Sequence, residues 1–397
     1  MAEVAATPAM SVPIARTGLT EAEIESVLGP LRSGWLVQGP KVAEFEQKWS
    51  AFTGAPHSLA VTSCTTGLHL AAVALGLGPG DEVIVPALTW IATANIVEHQ
   101  QATPVFCDID LETFNIDPAA LERLITPRTK GIIPVHLFGL AADMDPIMEI
   151  ARKRGLWVIE DAACGFGATY KGEHVGAIGD AGAFSFHPRK AITTGEGGMV
   201  TTRDPDLADT VGKLRDHGAA MTDLQRHLGA RPYLLADHPL AGYNQRMTDI
   251  QAALGAAQME RADAIVAERR RLAQRYDEAF DGLNWLRTPV QPEGYGHGYQ
   301  SYPCLFMAGE VEDGRVAAVN EKRNAWMDQL QQAGISTRPA THAVHMLSYY
   351  ANRYGFSPDD FPQARAANDC SVSLPLFHGM SEAEQDYVID QVLQGPY

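Results

Sequence analysis

Lys190 stands in Phe184-Ser185-Phe186-His187-Pro188-Arg189-Lys190, between an apolar strand ending and the turn Thr193-Thr194-Gly195-Glu196-Gly197-Gly198. An amine held on a turn between buried segments is partly desolvated, which frees its lone pair for attack on a carbonyl. A lone lysine in a loop is usually a solvated surface group. Asp161 changes that reading. It closes Leu156-Trp157-Val158-Ile159-Glu160-Asp161, a short apolar run ending in two acids. Such a run is how a buried parallel strand delivers a carboxylate to the sheet edge where ligands bind. Together the two residues meet the needs of pyridoxal 5'-phosphate chemistry. The amine carries the cofactor through its aldehyde, and the carboxylate keeps the pyridine nitrogen protonated so that the ring accepts electrons.

A phosphate also needs a seat. Thr62-Ser63-Cys64-Thr65-Thr66-Gly67 directly precedes the apolar helical run Leu68–Leu75. Small hydroxylated residues at a helix start leave N–H groups pointing forward at the positive end of the dipole. Alone, such a run is an ordinary N-cap; beside Lys190 and Asp161 it reads as a phosphate site built on Thr65 and Thr66. Ser185 is placed to add a hydroxyl. Trp90, after Pro86-Ala87-Leu88-Thr89, is placed to stack on a pyridine ring, with plain core packing as its bland alternative. Gly76-Leu77-Gly78-Pro79-Gly80 is glycine-rich, but the helix precedes it and the strand follows. That reverses the dinucleotide order, so nicotinamide binding is not expected.

These residues require a scaffold of alternating strands and helices. Strands are expected at Ser58–Val61, Glu82–Pro86, Pro104–Cys107, Gly131–Val135, Leu156–Ile159, Ala181–Phe186 and Met199–Thr202. Helical patterns fall at Leu68–Leu75, Ile91–His99, Pro118–Ile125 and Met144–Arg154. This spacing predicts an α/β fold with a mostly parallel, seven-stranded sheet covered on both faces. Asp249–Phe280 reads as one long helix, with Ile265, Leu272, Tyr276 and Phe280 on one face. Further on, Gln300–Phe306 reads as a strand, and Glu321–Ala333 and Glu382–Leu393 as helices. The expectation is a large domain over 1–255 and a smaller C-terminal α/β domain over 256–397. The first roughly 30 residues are expected to pack on the smaller one. Residues 219–241 read as a loop without regular structure.

Composition narrows the function classes. The 397 residues are 46% hydrophobic and 20% charged, as in a soluble globular protein. With 31 basic and 48 acidic side chains, the formal charge of −17 disfavours nucleic acid and anionic membrane surfaces. An anionic substrate therefore needs a local basic pocket. No apolar run approaches the roughly 20 residues of a membrane span, and Met1 to Ala15 has no secretory pattern. Five scattered cysteines without a CxxC pair suit a reducing, cytoplasmic setting and indicate neither a zinc site nor a disulfide framework.

In number and order the motifs resemble the DegT/DnrJ/EryC1/StrS family of sugar aminotransferases, within the fold-type I pyridoxal-phosphate enzymes. The likeness spans nearly the whole chain. It includes Ser33-Gly34-Trp35, Glu44-Phe45-Glu46, the Ser63–Gly67 turn, Gly80-Asp81-Glu82-Val83-Ile84-Val85-Pro86 and Val135-His136-Leu137-Phe138-Gly139. It continues through Glu160-Asp161-Ala162-Ala163, the Lys190 motif, Gly242-Tyr243-Asn244-Gln245-Arg246 and Ser373-Leu374-Pro375-Leu376. The resemblance implies that Lys190 carries the cofactor and moves the proton, that Asp161 pairs with the pyridine nitrogen, and that Trp90 stacks on the ring. It gives the phosphate to Thr65, Thr66 and Ser185. It also implies that Asn244 reaches the phosphate of the neighbouring subunit, hence a homodimer with shared active sites. Two positions depart from the pattern. Cys164 stands where relatives carry Gln or His near the cofactor, and Cys64 where Gly is common. Relatives with His in place of the lysine are dehydratases; here Lys190 is intact.

The resemblance further implies ping-pong transfer of an amino group from L-glutamate, or L-glutamine, to a keto sugar, usually nucleotide-linked. Substrate contacts are expected among Arg246, Arg338, His342 and His345. No metal site is expected from the two histidines, three apart without a third ligand. Alternatives are a non-nucleotide keto sugar or keto-inositol as acceptor, or a pyridoxal-phosphate-binding regulator without turnover.

Overall fold

Side-chain alternation builds the central sheet. In the strand Glu82–Pro86, Val83 and Val85 join the apolar cluster on one face, while Ile84 joins the cluster on the other. Both faces are therefore covered, as a mostly parallel sheet demands. The computed structural model describes residues 10–396 except 230 and 232. The start of the N-terminal segment and those two positions of the 219–241 stretch lie outside the described residues.

The seven strands are β1 (His57–Val61), β2 (Glu82–Pro86), β3 (Thr103–Cys107), β4 (Thr129–Ile132), β5 (Trp157–Asp161), β6 (Ala181–Ser185) and β7 (Gly198–Thr202). Their order across the sheet is β1-β7-β6-β5-β4-β2-β3. Only β7 runs antiparallel to its neighbours, with Val61 opposite Gly198 and Gly198 opposite Ser185. Helices Pro40–Thr53, Cys64–Ala74, Ala92–His99 and Met144–Arg154 cover the faces. Trp49 of the first is buried against Phe184 and Phe186, with ring centroids 5.0 and 4.9 Å away.

A second, antiparallel sheet joins Leu286–Arg287, Tyr302–Phe306 and Ser371–Leu374. It is backed by the helix Val316–Gln332, whose Trp326 packs on Trp285 and Phe306. Val12 pairs with Ile335 beside this sheet, whereas Ser26 hydrogen-bonds the carbonyl of Ala253. Among the described residues no helix is long and apolar enough to cross a membrane.

Three expectations need correction. Asp249–Phe280 is two helices, Asp249–Met259 and Ala262–Phe280. The break falls at Arg261, whose guanidinium is drawn to Glu23 at 2.7 Å and to the carbonyl of Gly18. The periodic set Ile265, Leu272, Tyr276 and Phe280 lies wholly in the second helix, so it carried no information about the junction. Pro118–Ile125 forms two short 3₁₀ turns instead of an α-helix. Asp117 caps the first, and Thr126 precedes Pro127, which disfavours continuing the helix. Within 219–241 a helix, Asp223–Leu228, is nucleated by a capping box between Thr222 and Gln225.

Candidate active site

Glu160 and Asp161 are neighbours on β5 and therefore point to opposite faces. Glu160 is fully buried and closes a structural knot. It accepts from His136 Nε2 at 2.9 Å and from the N–H groups of Gly176, Ile178 and Gly179 at 2.7, 2.8 and 2.7 Å. The amide of Ala142 donates to His136 Nδ1, so Nε2 carries the proton given to Glu160. Burial alone would raise the Glu160 carboxyl; its hydrogen bonds outweigh this and hold it below the usual range.

Asp161 faces the helices Cys64–Ala74 and Ala92–His99. Oδ2 accepts from the hydroxyl of Thr93 at 2.7 Å and Oδ1 from the N–H of Ala163 at 3.1 Å. Burial pushes this carboxyl up; Thr93, Ala163 and the charge of Lys190 pull it back without cancelling the rise. Thr93 was not singled out in the sequence, because its role exists only once two distant elements meet. Thr93→Val should raise the Asp161 pKa further and lower kcat, with the acid limb of the pH–rate profile moved upward. An unshifted limb would remove Thr93 from this role. The lost charge-assisted bond is worth about 1.5–3 kcal/mol.

Lys190 sits half-buried on the turn after β6, its N–H bonded to the carbonyl of His187 at 2.8 Å. Its Nζ has no carboxylate partner among the described residues and donates to Cys164 Sγ at 3.2 Å. The turn beyond it is clamped by buried Gln258, which accepts from Thr193 N at 3.0 Å and donates to Thr193 O at 2.6 Å. A polar residue on a buried helix face was the only sequence signal for that clamp. Cys64 closes the other side: Sγ lies 3.9 Å from Asp161 Oδ1, and burial followed by the Asp161 charge raises its thiol well above the usual range. It stays protonated.

The turn leading from β1 into Cys64–Ala74 is held by a capping box between Ser63 and Thr66. Thr66 Oγ1 accepts from Ser63 N at 2.9 Å, so its hydroxyl is already engaged in shaping the turn. Helix geometry leaves the N–H groups of Cys64 and Thr65 without intrahelical partners. β7 crosses directly beneath. A Cβ on Gly198 would lie 2.4 Å from the Ser63 carbonyl carbon and 2.6 Å from Cys64 N, so only glycine lets the turn approach. Ser185, half-buried at the end of β6, lines a cleft with Ala163, Cys164, Lys190 and Gln300.

Trp90 is 61% exposed and meets His342 edge-to-face at 5.5 Å, brought there by pairing of Thr89 with His342. Arg338 is half-buried, with no ion pair among the described residues, close enough to Arg189 and Cys164 to interact with both. Arg246 is ion-paired with Asp216. Its segment is tied to the phosphate turn, with Thr62 N donating to the carbonyl of Gln245 at 3.2 Å, and Asn244 is exposed. His345 does not join this group. It is fully buried, packed on Phe361 at 4.8 Å with Nε2 3.1 Å from the carbonyl of Pro358.

These residues fit pyridoxal phosphate. A buried carboxylate without a cationic side chain hydrogen-bonded to it suits a protonated pyridine nitrogen, an amine with no ion pair suits the aldehyde, and the free N–H groups at Cys64 and Thr65 suit the phosphate. The model of the DegT/DnrJ/EryC1/StrS aminotransferase family matches residues 18–393. The chain belongs to this family. Spore coat polysaccharide biosynthesis protein SpsC of Bacillus subtilis is 42% identical over 374 residues, covering 93% of each chain. GDP-perosamine synthase of Caulobacter vibrioides is 42% identical over 387 residues, covering 96% of this chain and 98% of its own. The solved structure of Spr1654 from Streptococcus pneumoniae in its PMP form superposes with a TM-score of 0.88 at 33% identity, covering 96% and 98%. Its PLP form gives 0.87 at 32%. The chain is thus a pyridoxal-phosphate-dependent aminotransferase with a fold-type I architecture. The cofactor supplies an electron sink for the bonds made and broken at the amine-bearing carbon.

Proposed function

We propose that this aminotransferase moves an amino group from L-glutamate, or L-glutamine, to a keto sugar on a nucleotide diphosphate, in two ping-pong half-reactions. The observation that carries this is the half-buried Arg338 guanidinium, without an ion pair among the described residues and near enough to Arg189 to feel its charge, in a protein of net charge −17. Such a cationic group, free of a carboxylate partner among the described residues, suits the carboxylate of an amino donor or the diphosphate of an acceptor. The 42% identity to GDP-perosamine synthase over nearly its full length supports a nucleotide-linked sugar. Lys190 Nζ moves the proton at the substrate carbon, and Asp161 holds the proton on the pyridine nitrogen. Thr65, Thr66 and Ser185 seat the phosphate, Cys164 borders the cofactor, Trp90 covers the ring, and His342 orients Trp90.

The assembly in this reading is a cytoplasmic homodimer, a large domain of 1–255 and a small one of 256–397 in each copy. Exposed Leu228, Tyr233 and Leu235 supply apolar surface for the contact, and exposed Asn244 reaches the neighbouring phosphate. L-glutamate added to the purified yellow protein should bleach its visible absorption and yield 2-oxoglutarate; a nucleotide-linked keto sugar should then restore the colour. A spectrum unmoved by both L-glutamate and L-glutamine would defeat the donor assignment.

A further inference from the structure

Four of the five cysteines are buried, and Cys164 is the partly exposed one. Its Sγ is 3.2 Å from Lys190 Nζ in the cleft both residues line. Two guanidiniums interact electrostatically with the same sulfur. One is Arg338. The other is Arg269, 3% exposed, whose Nη1 meets the carbonyls of Tyr299 and Leu376 at 3.3 Å each and which has no carboxylate partner among the described residues. A partly exposed cysteine is one that oxidants can reach.

We propose that Cys164 and Lys190 form an oxidative modification site, at which hydrogen peroxide drives a covalent Sγ–Nζ bond whenever the lysine is not carrying the cofactor. In the first step peroxide oxidises the thiol to a sulfenic acid and one water leaves. In the second the Nζ lone pair attacks Sγ, the S–O bond breaks, and hydroxide departs with an amine proton as a second water. Sulfur loses two electrons and peroxide gains them. Two equivalents of an external thiol reverse the linkage, restoring amine and thiol and becoming a disulfide. A sulfenic acid condenses with a nitrogen in this way only when one lies adjacent. Here the adjacent nitrogen is the one turnover needs, so oxidation stops the enzyme selectively in the half-cycle that leaves Lys190 free. The inference does not depend on which donor or acceptor is used.

The test compares full-length protein loaded with pyridoxamine 5'-phosphate, in which Lys190 is free, and with pyridoxal 5'-phosphate, in which it is occupied. Each is treated with hydrogen peroxide, proteolysed and analysed by mass spectrometry. The pyridoxamine form should yield the peptides of residues 164 and 190 joined, lighter by two hydrogens than their sum. Dithiothreitol should abolish that species, and Cys164→Ser should never form it. The pyridoxal form should show only oxygen added to Cys164. Equal crosslinking in both forms, a disulfide to Cys64, or oxygen adducts without any crosslink in the pyridoxamine form would each overturn the site.

Discussion

Lys190→Ala should lose turnover by at least about 10⁴-fold, because in the proposed mechanism one amine both carries the cofactor and moves the proton, and proton transfer alone contributes about 10²–10⁴. The loss should be chemical, with the fold retained. Lys190 is half-buried on a turn and makes no ion pair among the described residues, so truncating it removes the contact with Cys164 and the charge that draws the Asp161 pKa down. Its melting temperature should stay near that of the parent, since surface-like truncations cost within about 0.5 kcal/mol. Steady-state rates with saturating cofactor, paired with thermal unfolding, make the check. Borohydride treatment of the parent holoenzyme should fix the label on residue 190. Substantial residual activity, or a label on another side chain, would end the assignment.

What the sequence made legible was whatever local pattern determines. All seven strands of the large sheet were readable as short segments, because burial on both faces favours apolar residues, although the fourth, expected over Gly131–Val135, begins earlier and runs over Thr129–Ile132 with Lys130 exposed. Asp161 was readable because a carboxylate ending such a run has one edge to occupy. What pattern could not reach was contact between distant segments. Thr93 meets Asp161 from a helix 68 positions earlier. Gln258 clamps Thr193 from 65 positions later. Gly198 looked like turn composition, whereas its place under the Ser63–Cys64 backbone is what requires glycine. Trp90 and His342 were both singled out, but their edge-to-face contact depends on a two-residue strand pairing. His345 was expected beside His342 as a substrate contact from the family resemblance; the short 3₁₀ turn Val344–Met346 carries it inward instead. The break at Arg261 coincides with another distant contact, its guanidinium reaching Glu23 on the N-terminal segment, which helical periodicity does not encode.

Asp161 carries the second large effect, and there activity and stability should move in opposite directions. Asp161→Asn keeps the shape of the side chain. The amide oxygen can accept one donor, and the Thr93 hydroxyl, itself 3.0 Å from Thr89 Oγ1, can turn to accept from the amide nitrogen. What disappears is the negative charge proposed to keep the pyridine nitrogen protonated, and kcat should fall by roughly 10³-fold, in the range for removing one preorganised electrostatic partner. In the cofactor-free protein the same charge is a burden. Burial raises the folded-state pKa of Asp161 above its unfolded value, so the folded state binds the extra proton between the two values. Stability from this group therefore falls as pH rises through that window, and the penalty is fully present above the folded pKa. Asp161→Asn removes it. The cofactor-free variant should melt at or above the parent at neutral pH, with the difference shrinking as pH falls below the folded pKa. A variant that keeps more than a tenth of the parent kcat, or one whose stability advantage grows toward acid, would mean that Asp161 is not the buried charge on which the chemistry depends.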